Sequence, residues 1–299
     1  MECSVAESFE HCQALARHTA RNFYYSFLTL PRERRQAMCA LYSFMRITDD
    51  LGDSAAPAAT RAAQLASWRV ALLAANDGGP GGHPVLPALV DVVRRYGIPV
   101  RYLLDVIAGV EMDLMPAAYQ TFAELNRYCY HVAGAVGLAC IHLWGFHDPR
   151  ALETAVDCGT AFQLTNILRD LGEDAALGRI YLPAEDLDRF QIAPGELVVA
   201  DRNGLCRDER FGRLMQFEVE RTREYYARAR ALFGYLDPPG KPILETMLRI
   251  YGGLLDEIER RQYDVFSRRV SLSRGRKLLI AGDVLVRHKL RTIFSRQPT

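Results

Sequence analysis

Apolar positions recur with the period of an α-helix along nearly the whole chain. Alternating apolar and polar runs bounded by turns, which are typical of β-strands, are nearly absent. Breaks fall at the glycine-rich segment 76–82 and at prolines 149, 183 and 238. The pattern predicts helices at residues 6–20, 32–52, 58–76, 86–95, 99–113, 121–145, 149–173, 184–188, 208–235, 239–266 and 272–294. No linker is long enough to divide the chain, so we predict a single all-α domain over residues 1–299.

Two acidic segments give the strongest indication of chemistry. Asp49 and Asp53 lie four residues apart in the first, and Asn166, Asp170 and Asp174 repeat this spacing in the second. Side chains four residues apart project from the same face of a helix, where like charges repel each other. One such pair usually lies on a helix face that is exposed to water. Two of them, each after a strongly apolar helical stretch, favour binding of a hard cation such as Mg²⁺. We expect the two faces to meet across one central cavity.

Arginines accompany both acidic segments. Arg46 precedes Asp49 by three residues, Arg169 follows Asn166 by three, and Arg179 lies just past the second segment. Carboxylates alternating with arginines suit a bound polyanion that metal ions bridge. A basic cluster at residues 268–277 is either a solvated face, a phosphate contact or an attraction to anionic lipid headgroups.

Aromatic and small residues form two further stretches. Residues 21–31 are dense in aromatic rings, which are usually core but also stabilise a carbocation. Thr19, Arg21 and Asn22 offer hydrogen bonds to phosphate oxygens. Residues 128–137 are rich in small side chains, which permit close helix packing or leave room for a flat apolar ligand. Tyr128 is either a hydroxyl at the site or an ordinary core tyrosine.

Composition excludes several classes of protein. The chain has 299 residues, is 49% hydrophobic and carries a formal net charge of +1, which gives no support to nucleic-acid binding. Its seven cysteines form no CxxC pair and indicate free thiols of a reducing compartment. The N-terminus lacks the regions of a signal peptide, and no uncharged apolar run reaches the roughly 18 residues that span a bilayer. We expect a cytoplasmic protein, with peripheral contact to the inner face of the membrane left open.

Taken in order, these motifs resemble the squalene/phytoene synthase family, the head-to-head prenyl synthases. The matching segments are residues 22–31, 40–53, 128–137, 163–174 and 178–183, and the resemblance covers about residues 15–285. The second acidic motif with the Gly178-Arg179-Ile180-Tyr181-Leu182-Pro183 tail is its most specific part. Residues 250–270 look closest to bacterial squalene and presqualene diphosphate synthases.

The resemblance implies the all-α isoprenoid synthase fold and a role for each matched residue. It implies that Mg²⁺ is bound by Asp49, Asp53, Asn166 and Asp170, with Asp174 close by. It implies diphosphate contacts from Thr19, Arg21, Asn22, Arg46, Gln163, Arg169, Arg179, Tyr251 and Arg269. The prenyl channels are expected to be lined by Phe23, Phe27, Ala133, Val136, Gly137 and Leu164. Tyr128 matches a family tyrosine linked to the chemistry after ionisation.

Three functions follow as alternatives. The preferred one condenses two farnesyl diphosphates to presqualene diphosphate or squalene, with NADPH needed only for squalene. No GxGxxG on a strand–turn–helix offers a Rossmann site for that cofactor. The second is a phytoene synthase acting on two geranylgeranyl diphosphates. The third is a non-catalytic helical protein that binds prenyl diphosphates or other partners, which intact acidic motifs disfavour. Oligomeric state, prenyl length and product release are left undetermined.

Overall fold

Regular structure in the described chain is helical. The computed structural model describes residues 3–20, 23–79, 82–115, 118–200 and 204–294, with the side chains of Phe23 and residues 291–294 left out. Apart from two isolated β-bridges, these ranges contain no strand, which confirms the all-α prediction. The α-helices are α1 Val5–Thr19, α2 Phe23–Phe27, α3 Arg32–Asp53, α4 Ala58–Asn76, α5 Leu86–Tyr96, α6 Val100–Met112, α7 Phe122–Cys129, α8 Ala135–Trp144, α9 Arg150–Ala176, α10 Ala184–Arg189, α11 Pro194–Val198, α12 Glu209–Ala229, α13 Leu232–Tyr235, α14 Lys241–Arg260 and α15 Arg274–Phe294.

The helix boundaries depart from the sequence pattern in a few places. Helices α2 and α11 were not predicted, and the predicted helix 208–235 is broken between α12 and α13. The predicted helix 121–145 contains a π-helical turn at Tyr130–Gly134, between α7 and α8. The predicted helix 239–266 ends at Arg260, because Gln262 and Tyr263 adopt left-handed backbone with φ of 53° and 65°.

Helix α9 lies at the centre of the bundle. It packs against α8 and the π turn on one side and against α12 and α14 on the other. One hydrophobic core surrounds α1, α3, α5, α6 and α8, and a second lies between α9, α12 and α14. The half-buried Phe162 and Leu248 contact both cores, so the region between them is apolar.

Glycines bring the π turn and α8 to backbone distance from α9. A Cβ on Gly159 would lie 2.5 Å from the carbonyl oxygen of Ala133, and one on Gly137 would lie 2.8 Å from that of Ala155. No side chain fits at either position without a shift of the helices. The small residues at 133–137 therefore serve close packing at these two contacts.

The glycines within the two acidic segments have a similar function. A Cβ on Gly52 would overlap the Val110 side chain of α6. A Cβ on Gly172 would lie 2.9 Å from the ring of Phe266. Each acidic helix is therefore held closely by a neighbouring element. No helix in the described ranges is long and apolar enough to cross a bilayer.

Candidate active site

The first acidic face lies on the last turns of α3. Asp49 and Asp53 are both accessible to solvent, yet Asp49 is surrounded by protein, which places it on the wall of a recess. Desolvation, and after it the neighbouring Asp53, raise the pKa of Asp49 to about 7. Arg46 is turned to Asp50 and donates two hydrogen bonds to its carboxylate, from Nε at 3.1 Å and from Nη2 at 2.5 Å. Its predicted contact with a diphosphate would require release from this pair.

The second acidic face lies on α9. The Oδ1 atom of Asn166 is buried without a hydrogen-bond partner in the protein. Asp170 pairs with Arg169, whose Nε lies 2.8 Å from Oδ1, and with Arg269, whose Nη2 lies 3.0 Å from Oδ1. Desolvation, then Asp170, raise the pKa of Asp174 to about 7. This face therefore offers an unpartnered amide oxygen and a carboxyl whose ionisation is disfavoured by its surroundings.

Arg179 joins the two faces. Its Nη1 lies 3.6 Å from Oδ1 of Asp53 on α3. The chain reaches this position because Gly178 adopts a left-handed φ of 75° just past α9, and the Arg179 amide donates to the Asp174 carbonyl at 2.9 Å. Arg179 therefore brings together the two acidic segments, which are more than 100 residues apart in sequence.

Asp113 lies between the two faces and was not predicted. The hydroxyls of Tyr128 and Tyr181 donate to its carboxylate at 3.0 and 2.9 Å. Both rings are buried and stack with their centroids 5.2 Å apart. Desolvation raises the pKa of Asp113, against the effect of both hydroxyls and of the nearby Arg179. Asp113 ends an ordinary apolar helix in the sequence, so no spacing distinguished it.

Tyr251 of α14 covers the inner part of the second face. Its ring is buried and stacks on Phe162 with centroids 4.5 Å apart. Its hydroxyl interacts with the Asn166 side chain, and burial raises its pKa to about 12. Gln163 accepts a hydrogen bond from Asn166 at 3.4 Å. The aromatic pair therefore lies next to Asn166, one of the predicted metal ligands.

A basic cavity of about 840 Å³ adjoins Asp170. Burial, then the charges of Arg169 and Arg274, lower the pKa of Lys277, as expected where cations converge. Of its cations, only Arg169 and Arg269 were named as candidate site residues from the sequence. The predicted basic cluster included Arg274 and Lys277 without a specific role. The lining residues are Arg17, His18, Tyr24, Tyr25, Arg169, Leu254, Arg269, Val270, Ser271, Arg274 and Lys277.

The loop after α14 brings Arg269 to this cavity. The left-handed residues that end the helix reverse the chain, and Phe266 then packs on Gly172. This contact places Arg269 against Asp170, with Glu173 also within 3.4 Å of its Nη1. The glycine of the second acidic segment thus allows a distant arginine to reach the site.

The remaining predicted residues lie at varying depths. Phe27 and Leu164 are buried, with the Phe27 ring edge-on to Tyr42, while Ala133, Val136 and Gly137 are half-buried. The Thr19 hydroxyl donates to the Leu15 carbonyl at 2.8 Å. Arg21 and Asn22, and the side chain of Phe23, lie outside the described residues.

The donor set fits Mg²⁺ in its usual manner. Among the described residues, no three His, Cys, Asp or Glu side chains converge closely enough to enclose an ion. Mg²⁺ is commonly held by one or two carboxylates together with substrate phosphates and waters. Asp49 with Asp53, and Asn166 with Asp170 and Asp174, supply such partial sets on two different helices.

Comparison with known proteins shows the family to which the chain belongs. The profile of the squalene/phytoene synthase family matches residues 16–276. A phytoene synthase from Arthrospira platensis is 38% identical over 290 residues, covering 92% of this chain and 91% of that protein. A crystal structure of a dehydrosqualene synthase with a ligand has TM-score 0.84 at 28% identity, covering 95% of this chain and 98% of its own. The crystal structure of squalene synthase HpnC from Alicyclobacillus acidocaldarius has TM-score 0.79 at 28% identity, covering 87% of this chain and 95% of that protein.

The chain therefore belongs to the squalene/phytoene synthase family, as its motifs predicted. Its fold is the all-α fold of isoprenoid synthases, and it is a prenyltransferase.

Proposed function

We propose that this prenyltransferase is a phytoene synthase, which joins two geranylgeranyl diphosphates head to head. The observation that carries the proposal is the 38% identity to a phytoene synthase over 92% of this chain. Our sequence-based preference was for farnesyl diphosphate, and this relative favours the alternative instead. The two structural neighbours are named for dehydrosqualene and squalene, so the farnesyl reaction stays as the second candidate.

Mg²⁺ is the proposed cofactor, with Asp49 and Asp53 on one wall and Asn166, Asp170 and Asp174 on the other. When bound, it would neutralise diphosphate oxygens and so make diphosphate a better leaving group. The unpartnered Oδ1 of Asn166 and the mutual repulsion within each acidic face support this assignment.

The basic cavity is proposed to hold a diphosphate. Arg169, Arg269, Arg274 and Lys277 present positive charge within one recess beside Asp170. Guanidinium groups bind phosphate oxygens in bidentate fashion, so they would orient the leaving group and stabilise its charge as the C–O bond breaks. Of these three arginines, Arg169 is the most buried, with its side chain 11% exposed, and its pair with Asp170 holds it in position.

Aromatic side chains are proposed to protect the allylic cation. Phe162 and Tyr251 present stacked rings beside the second acidic face, and a ring face stabilises positive charge without acting as a nucleophile. Excluding water matters because water would trap the cation as an alcohol. Tyr128 is proposed to act after ionisation, with Asp113 fixing the direction of its hydroxyl.

The overall reaction to phytoene is redox-neutral. Two C–O bonds break, two diphosphates leave, and the carbon skeleton loses two protons as the new C–C bonds form. No hydride is needed, so the proposal assigns no role to NADPH. The farnesyl alternative that ends at squalene would need it.

Product analysis tests the proposal. Purified protein with Mg²⁺ is incubated with geranylgeranyl diphosphate or farnesyl diphosphate, with and without NADPH, and the hydrocarbons are identified by mass spectrometry. We expect a C40 product from geranylgeranyl diphosphate that does not depend on NADPH. A C30 product from farnesyl diphosphate, with the longer substrate left untouched, would refute it.

A further inference from the structure

The last helix carries an apolar stripe that faces away from the protein. Leu279, Val286 and Leu290 of α15 are exposed to 75%, 58% and 48%. At 100° per residue they project within roughly 40° of one another. Ile280 and Val284, which are buried against the bundle, project roughly 100° to 140° away from Leu279 around the helix. The exposed stripe is therefore a second apolar face, separate from the one that packs.

Basic residues flank this stripe. Helix α15 contains six Lys and Arg residues and a single acid, Asp283, whereas the whole chain has a net charge of only +1. Asp283 is already paired with Arg249 and Arg287. Arg274, Arg276 and Lys289 are exposed. The helix thus combines outward apolar side chains with a strong local excess of positive charge.

We propose that the outer face of α15 docks this protein on a bilayer that contains anionic phospholipid. An amphipathic helix of this kind lies in the plane of the interface, with its apolar stripe among the acyl chains and its cations at the headgroups. From Leu279 to Leu290 the stripe is roughly 16 Å long, since each residue rises 1.5 Å. A symmetric pairing of two copies through this face would bring two cationic helices together, which charge repulsion opposes.

The same helix contacts the basic cavity. Arg274 and Lys277, in its first turn, line that cavity together with Arg169 and Arg269. Docking through α15 would therefore hold one wall of the diphosphate site about a helix diameter, roughly 10 Å, from the membrane surface. This position suits a substrate with an anionic head and an oily tail, but the docking itself does not depend on which prenyl diphosphate is used.

Vesicle co-sedimentation tests the docking. The full chain is mixed with phosphatidylcholine vesicles, with or without phosphatidylglycerol, at low and high salt. We expect binding only when phosphatidylglycerol is present, and weaker binding at high salt. The triple variant Leu279→Gln, Val286→Gln and Leu290→Gln should lose about tenfold or more in partition coefficient. The matched control replaces three exposed apolar residues elsewhere, Val70→Gln, Leu73→Gln and Val198→Gln, and should bind as the unaltered protein does.

Three results would overturn the proposal. They are undiminished binding by the triple variant, equal binding to vesicles without phosphatidylglycerol, and a dimer in gel filtration that the triple variant converts to a monomer. The last would show that a second copy covers the stripe. Circular dichroism and turnover of detergent-solubilised substrate should be unchanged in the triple variant, which separates lost docking from lost folding or chemistry.

Discussion

Arg179 lies 3.6 Å from Asp53 and so bridges the two acidic segments of the site. Burial raises the pKa of Asp113 and of Asp174, and Arg179 is close enough to both carboxyls to oppose that rise. One guanidinium therefore offsets the repulsion among carboxylates that come from three different helices or their ends.

Replacing this guanidinium should impair the reaction more than the fold. In Arg179→Gln the carboxylates of both faces lose a shared counter-charge, and we expect kcat/KM to fall about tenfold to a hundredfold. Arg179→Lys keeps the charge but not the planar fork, so it should recover part of the loss. Steady-state kinetics of the two variants checks this, and equal activity of Arg179→Gln and the unaltered enzyme would contradict it.

Removing a proposed metal ligand should abolish turnover. Asp49→Ala and Asp170→Ala should each lower kcat at least about a hundredfold, because the leaving diphosphate loses charge neutralisation. The helical circular-dichroism signal should stay largely intact. Asp50→Ala is the matched control, since Asp50 pairs outward with Arg46 and lies between the proposed ligands in sequence. A comparable loss in Asp50→Ala, or full turnover in the other two, would argue against the assignment.

The metal-free protein should become less stable as the pH rises towards neutrality. Asp49 and Asp174 have a folded-state pKa of about 7 against an ordinary aspartate pKa of 3.8, so between these values the folded state binds more protons than the unfolded state. Stability then falls with rising pH in that window. Thermal unfolding at pH 5 to 8 measures the slope, which the double variant Asp49→Asn and Asp174→Asn should reduce. Mg²⁺ with inorganic diphosphate should restore stability at the upper end, and a slope unaffected by the double variant would refute the prediction.

Gly172→Ala should separate α9 from the loop that carries Arg269. The added Cβ would lie 2.9 Å from the Phe266 ring, so the loop must shift. We expect a loss of about 1–3 kcal/mol in the free energy of unfolding, together with lower activity. Gly212→Ala in α12 meets no atom within 4 Å and should be neutral or stabilising by up to about 1 kcal/mol. Chemical denaturation of both variants provides the comparison.

Asp113 should matter through the tyrosines that it holds. Asp113→Leu leaves the buried hydroxyls of Tyr128 and Tyr181 without their acceptor, which costs about 1–3 kcal/mol for each group left unsatisfied. Asp113→Asn retains one acceptor oxygen and should be the milder change. If Asp113 positions Tyr128, products of Asp113→Asn should shift towards those released before the final step. Mass spectrometry of the products tests this, and an unchanged product profile would show that Asp113 has only a structural role.

The local order of the chain was largely predictable. Helical periodicity predicted most of the longer helices, and the four-residue spacing of acids indicated both candidate acidic faces, because each depends only on neighbours within one or two turns. The predicted helix boundaries were wrong where the backbone conformation changes without a change in the hydrophobic pattern, as at the left-handed Gln262 and Tyr263 or the π turn at Tyr130–Gly134.

By itself, the sequence determined the all-α class and the family, and it proposed two sets of candidate oxygen ligands. Only the tertiary structure decided that Arg179 reaches Asp53, that Asp113 collects two tyrosine hydroxyls, and that Lys277 joins Arg169 in one cavity. The physical reason is that these contacts join segments tens to more than a hundred residues apart. Their geometry is set by how closely the helices pack, and here that depends on glycines. The sequence shows where the glycines are, but only the tertiary structure shows which helix occupies the space that a side chain would need.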